Sequence, residues 1–269
     1  MNVDYLDRAE APFGPDVWAK LDETVVGAAS SQLTGRRLLE IEGPHGLGLK
    51  SIAGPDEDLI GDVESTVCLS PVTPVPTIKH SFTLPMRDVA NYETTGVLFN
   101  VRAVATAAIQ VARREDDIIF NGIPDHGIPG LLNISDAATI NLNPWTEPGM
   151  AFENIMEAVN VLDDRGLHGP YALALSPPLY NALFRLYPNG GPAELEQVRM
   201  MVTGGIIKSP SIANGGVLVA VGKQFLSLVI GQDLVTAYVG PQCGEFEFCL
   251  MESLVLKVAL PQAVCAITG

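Results

Sequence analysis

The stretch VLFNVRAVATAAIQVARREDDIIFNG (97–122) decides the fold. Val97, Val101, Val104, Ala108, Val111 and Ile119 recur at the spacing of one helix face. The pattern predicts a helix over 97–120, which at 1.5 Å per residue spans about 36 Å, long for a globular helix. Asn121-Gly122 supplies its stop. Arg113, Arg114, Glu115, Asp116 and Asp117 read as a solvated charged face. Adjacent helical residues point in different directions, so these carboxylates are not placed to share a proton.

Upstream, residues 47–82 form a long excursion rich in proline (Pro55, Pro71, Pro74, Pro76), with the acidic run DEDLIGDVE (56–64) and short β-type stretches. Such an excursion carries too few large apolar residues to fold alone and reads as a partner-binding arm. Before it, Trp18, Leu21, Val25, Ala28 and Leu33 predict a helix opened by Gly14-Pro15 and stopped at Gly35, and RRLLEIE (36–42) reads as a strand.

Downstream, Pro148-Gly149 precedes a helix carrying Phe152, Ile155, Met156, Val159 and Leu162. YALALS (171–176) is a strand, and Ser176 caps a helix beginning at Pro177-Pro178. Asn189-Gly190-Gly191 then separates two helices, the second with Leu195, Val198 and Met201. The strands GVLVAV, FLSLVI, VTAYV, EFEFCLMES and LVLKVAL complete the chain. Helices that do not alternate strictly with strands point to an α+β fold.

The 269 residues carry a net charge of −15; 47% are hydrophobic and only 17% charged. That charged fraction is below the usual quarter, which fits a chain whose outer surface is buried against neighbours. Strong acidity and scattered Lys and Arg argue against nucleic-acid binding. The N-terminal MNVDYLDRAEAPFGPD has no apolar core of a signal peptide and no apolar run reaches membrane-spanning length, so a cytoplasmic protein without membrane contact is expected.

Motifs of chemistry are missing. Gly43-Pro-His-Gly-Leu-Gly-Leu-Lys-Ser51 places Leu49 where a phosphate-binding loop needs its lysine. His45, His80, His126 and His168 have no metal-ligand spacing. Cys243 and Cys249 share strand parity and could lie on one face, but two thiolates make an incomplete site; Cys68 and Cys265 stand apart. No nucleophile has a recognisable base partner, which counts against a hydrolase.

The ordered set Glu10-Ala-Pro12, Gln32-Leu-Thr-Gly-Arg-Arg37, Glu42-Gly-Pro-His-Gly46, Phe82-Thr-Leu84, Glu115-Asp-Asp-Ile-Ile-Phe120, Gly127-Ile-Pro-Gly-Leu-Leu132, Gly169-Pro-Tyr-Ala-Leu173, Gly204-Gly-Ile-Ile207 and Leu228-Val-Ile-Gly-Gln-Asp-Leu234 resembles the family 1 encapsulins, also known as linocin-type bacteriocins. The resemblance implies an HK97-like phage major-capsid fold. Residues 1–46, 83–134 and 223–269 would form its peripheral domain, 47–82 its extended E-loop and 135–222 its axial domain. It implies a shell subunit, not an enzyme, that assembles with itself into an icosahedral nanocompartment, expected to be T=1. The shell would enclose a cargo enzyme, a ferritin-like protein or a dye-decolourising peroxidase, so its setting would be iron storage or oxidative stress. A phage or prophage capsid protein of the same fold is the alternative.

Carried over residue by residue, the cargo's C-terminal targeting peptide would dock at Arg36, Glu40, Ile230, Gln232 and Asp233. Arg185, Tyr187, Asn189 and Gly190 would line the fivefold pore. Some relatives hold flavin on a tryptophan just after the Phe-Thr-Leu strand. The matching residue here is Arg87, which has no ring to stack on an isoalloxazine, so no flavin and no other cofactor or metal is expected.

Overall fold

The structure, a computed structural model, describes residues 5–61, 66–187 and 190–269. Helix α1 (Pro15–Ser30) starts with proline at its first position, where no amide is needed, and buries Val17, Leu21, Val25 and Ala29 at four-residue spacing. A 3-10 turn (Gly35–Arg37) and the short strand β1 (Glu40–Glu42) follow, so only the end of 36–42 is extended. The arm then leaves the body. β2 (Ser51–Ala53) pairs with β5 (Val72–Pro74), and β3 (Glu57–Gly61) pairs with β4 (Thr66–Leu69), both antiparallel. The chain returns on β6 (Thr77–Pro85), all nine residues of which pair with a strand of the body. Residues 77–82, placed in the arm by the sequence, therefore belong to the sheet. Alternation in this segment buries Ile78, Phe82 and Leu84.

Helix α3 (Arg102–Asn121) is the helix expected over 97–120 but starts five residues later, and a separate helix α2 (Met86–Thr95) precedes it. Gly96 takes a left-handed conformation, φ 71°, that closes α2. Asn100 Oδ1 accepts the amide of Arg102 at 3.0 Å and opens α3, leaving Val97 and Leu98 exposed between them. At the other end Gly122 has φ 65°, and a Cβ there would lie 2.4 Å from the Ile128 carbonyl oxygen, so only glycine makes this exit.

The second half holds β7 (Ala138–Asn141), α4 (Met150–Asp163), β8 (Tyr171–Leu175), α5 (Pro177–Ala182), α6 (Glu194–Met201), β9 (Gly205–Lys208) and β10 (Gly216–Ala220). It ends with β11 (Leu226–Ile230), β12 (Val235–Gln242), β13 (Glu245–Val258) and β14 (Val264–Thr268). EFEFCLMES and LVLKVAL are one fourteen-residue strand, β13, rather than two.

Two five-stranded sheets organise these elements. In the first, β13 pairs with β11 and β12 in succession on one side and with β6 on the other, and β1 adds in parallel to β11. The second runs β7-β14-β10-β8-β9. The apolar core falls into two clusters. One joins α1, α3, the first sheet and one face of the second, and the other joins α4, α6 and the opposite face of the second. The first contains an aromatic group of Phe13, Trp18, Phe82, Tyr238, Phe246 and Phe248, with Phe82 and Phe248 stacked at 5.1 Å between centroids.

Phe248 sits at the centre of that group and is fully buried. Phe248→Ala is expected to cost about 3–5 kcal/mol of stability and Phe248→Leu clearly less, measured by chemical unfolding.

Candidate docking site and pore tip

Arg36, on the turn after α1, reaches into the first sheet. Its Nε donates to Glu115 Oε1 at 2.6 Å and its Nη2 to Glu115 Oε2 at 3.0 Å. Nη2 also pairs with Glu252 Oε1. Nη1 and Nη2 each lie 3.1 Å from Asp233 Oδ1. Three carboxylates from α3, β13 and the β11–β12 loop thus share one guanidinium. Glu115 and Glu252 are each 1% exposed, whereas Asp233 is 54% exposed and lies at the mouth.

The electrostatics follow from this arrangement. Burial works against the Arg36 charge, but the Glu115 hydrogen bond and the fields of Glu115, Glu252 and Asp233 outweigh it and hold the guanidinium above its ordinary value. Burial raises the Glu115 carboxyl despite its bonds to Arg36. Glu252 is pushed up to about 9, first by burial and then by repulsion from Glu115, with Arg36 opposing. Its Oε2 is buried without a hydrogen-bond partner.

Asp116 is 2% exposed and does a separate job. It accepts the Thr34 amide at 3.0 Å, the Thr34 hydroxyl at 2.6 Å and the Gly35 amide at 2.8 Å, fixing the turn that presents Arg36. Burial still raises its carboxyl above the ordinary range. A Cβ on Gly35 would lie 2.7 Å from Ile119 Cδ1, so this close approach requires glycine. Glu115 and Asp116 are therefore not a solvated face. Their helix side meets the turn after α1, where donors replace the water they lose.

The five residues expected to take a targeting peptide lie on β1, on the turn before it and on the β11–β12 segment. Arg36 and Asp233 are in direct contact. Gln232 is half-buried and donates its amide to Ser253 Oγ at 2.8 Å. Glu40 is exposed on β1. Ile230 is 2% exposed, so its side chain supports the site from beneath. Sequence reading missed Glu115 and Glu252. The signal lay in their phase: Glu115 continues the buried series Val104, Ala108, Val111, and Glu252 continues Phe246, Phe248, Leu250.

Between α5 and α6, Leu186 and Ala193 bridge the base of a tip loop. Arg185 is exposed and donates to the Trp145 carbonyl. Tyr187 is half-buried and donates to Gln197 Oε1 at 2.8 Å. Gly190 is exposed with φ 77°. Asn189 lies outside the described residues. Buried Glu194 accepts the amides of Gly149 at 3.0 Å and Phe152 at 2.8 Å, tying the tip to the first turn of α4. Cys243 does not share a strand face with Cys249. It occupies the turn between β12 and β13 with φ 47°.

The family model described as "Encapsulating protein for peroxidase" matches residues 1–255. The chain belongs to this family. It is 34% identical to the type 1 encapsulin shell protein of Myxococcus xanthus, over 99% of this chain and 97% of that protein. It is 31% identical to a diheme-cytochrome-encapsulin shell fusion protein of Kuenenia stuttgartiensis, over 96% of this chain and 74% of that one. Among solved structures, a virus-like particle from Pyrococcus furiosus superposes with a TM-score of 0.76 at 19% identity, covering 94% of this chain and 99% of that one. The capsid of the myovirus XM1 superposes with a TM-score of 0.61 at 12% identity, covering 86% and 89%.

The fold is thus the HK97-like capsid fold, α+β, as expected. Phage capsids share that fold, but the family match and the curated relatives make this chain an encapsulin shell protein rather than an enzyme. No helix among the described residues is long and apolar enough to cross a membrane.

The raised Glu252 carboxyl has a consequence for stability. The folded state keeps its proton up to about pH 9, while the unfolded chain loses it near 4.5. Its contribution is therefore fully present below pH 4.5 and declines as pH rises towards 9, by at most about 1.4 kcal/mol per pH unit. Glu252→Gln is expected to flatten this decline and to raise stability at neutral pH, measured by chemical unfolding across pH 5–9. A loss of stability at neutral pH would mean that Glu252 is ionised.

Proposed function

We propose that this chain assembles with identical copies into a closed icosahedral T=1 shell in the cytoplasm. The shell encloses a cargo enzyme, a peroxidase of the dye-decolourising type or a ferritin-like protein, docked by a short C-terminal peptide. The cargo reading is supported by the peroxidase named in the family description and by the grouping of Arg36 and Asp233 beside exposed β1. An extended peptide can lie along such a surface, with Asp233 available to a basic side chain.

Assembly is carried by one observation. Among the described residues, the arm strands β2–β5 pair only with one another, and Val67, Leu69 and Val72 on the arm are each more than half exposed. Phe184 and Leu186 beside the tip, Met200 on α6, and Val97 and Leu98 before α3 are equally uncovered. A single copy leaves all three regions facing water, and neighbours in a shell cover them. In that shell Arg185, Tyr187, Asn189 and Gly190 line the fivefold opening.

Cargo capture is tested by mass spectrometry of particles purified from the native host. The expected result is one co-purifying enzyme, lost on Asp233→Lys while the shell persists. Shells of Asp233→Lys that retain the same enzyme would contradict the docking assignment. For the tip, Gly190→Trp is expected to slow entry of a labelled small ion several-fold without changing particle size, and an unchanged entry rate would remove the pore assignment.

A further inference from the structure

The β11–β12 loop carries Gln232 and Asp233, and it is held by β13 one residue away from a buried acid. The Gly231 amide donates to the Ser253 carbonyl at 2.8 Å, the Gln232 amide to Ser253 Oγ at 2.8 Å, and the Ser253 amide to the Gln232 carbonyl at 2.9 Å. A Cβ on Gly231 would meet Ser253 Oγ at 2.5 Å, so loop and strand are in close contact. Glu252, the neighbour of Ser253, points the other way into the Arg36 cluster. The loop is thus fastened twice, to Ser253 through its backbone and to Arg36 through Asp233.

The cluster is short of donors. One guanidinium serves three carboxylates, and Glu252 Oε2 is buried with no hydrogen-bond partner. Among the described residues, Arg36 is the cation that acts on both buried acids. On the β6 side the residue opposite Glu252 is buried Ile78, and Asp116 is already occupied by Thr34 and Gly35. If Glu115 and Glu252 were both ionised, Arg36 would leave one of these two buried charges uncompensated, even before Asp233 at the mouth is counted.

We propose that Glu115 and Glu252 are positioning residues for the docking loop: with one proton on the pair, Arg36 braces Gly231–Leu234 against β13, and removing that proton releases the loop. The released element is the loop because Asp233 is the exposed carboxylate of the three, whereas the other two are fixed on α3 and β13. The alkaline position of the Glu252 carboxyl, near 9, agrees with a brace that is closed at neutral pH. The relevance to cargo rests on the docking reading above; the brace itself does not.

Hydrogen exchange of assembled shells, read by mass spectrometry and corrected for intrinsic rates, tests the brace without any cargo. In the unaltered protein the protection of the Gly231 and Gln232 amides is expected to fall by up to about tenfold per pH unit as pH rises towards 9 and to level off above it, because the braced form holds the proton that the released form gives up. Glu252→Gln keeps the neutral form and is expected to abolish that fall. Glu115→Gln is expected to do the same, because ionised Glu252 then pairs with Arg36 without a competing anion; either variant suffices if the other fails to fold. Constant protection in the unaltered protein, or an equal fall in a folded variant, would overturn the proposal. Loss of cargo capture with this exchange pattern intact would instead count against the docking reading alone.

Discussion

Strand β13 is the element on which the rest of the subunit depends. Over Glu245–Met251 it is paired on both sides, by β12 and β6, and over Leu254–Val258 it is paired with β11. Its early residues alternate, sending Phe246, Phe248, Leu250 and Glu252 inward. Helix α3 packs on this sheet and α1 packs on α3, so the apolar face of β13 sets the position of both helices. Where pairing with β6 stops, the arm departs. The base of the arm and the end of β13 enclose a groove of about 820 Å³ that includes Ile52, Pro71, Ile134 and Leu256.

Much of this was legible in the chain. Helical spacing placed α1, α4 and α6, and the arm announced itself by its prolines and acidic run. The α3 pattern was read correctly along its buried side, but its start was not. Val97 and Val101 fit the helical period, but Val101 is the N-cap and α3 begins only at Arg102, whose amide is taken by Asn100 Oδ1. Local capping overrode periodicity there. The long β13 read as two strands because its pattern changes from one buried face to burial on both faces after Glu252.

The site was half legible. Resemblance named Arg36 and Asp233, which do meet. It did not name Glu115 and Glu252, because an acid in phase with core residues reads as an exposed charge until its partner is known. Arg36 lies 79 residues from Glu115 and 216 from Glu252 in the chain, so no local pattern could join them. Asp116 shows the same limit: its partners are amides of a turn 82 residues away.

A subunit of this design is incomplete alone. Its body has two packed cores, yet its arm and its tip present large apolar side chains to water. With a net charge of −15, scattered apolar contact surfaces can close against neighbours while the particle stays soluble. The most direct measurement is size-exclusion chromatography with multi-angle light scattering on the purified chain at micromolar concentration. The account predicts one narrow peak of uniform particles with a mass far above that of the 28.6 kDa chain. A solution holding only monomers or dimers would contradict it.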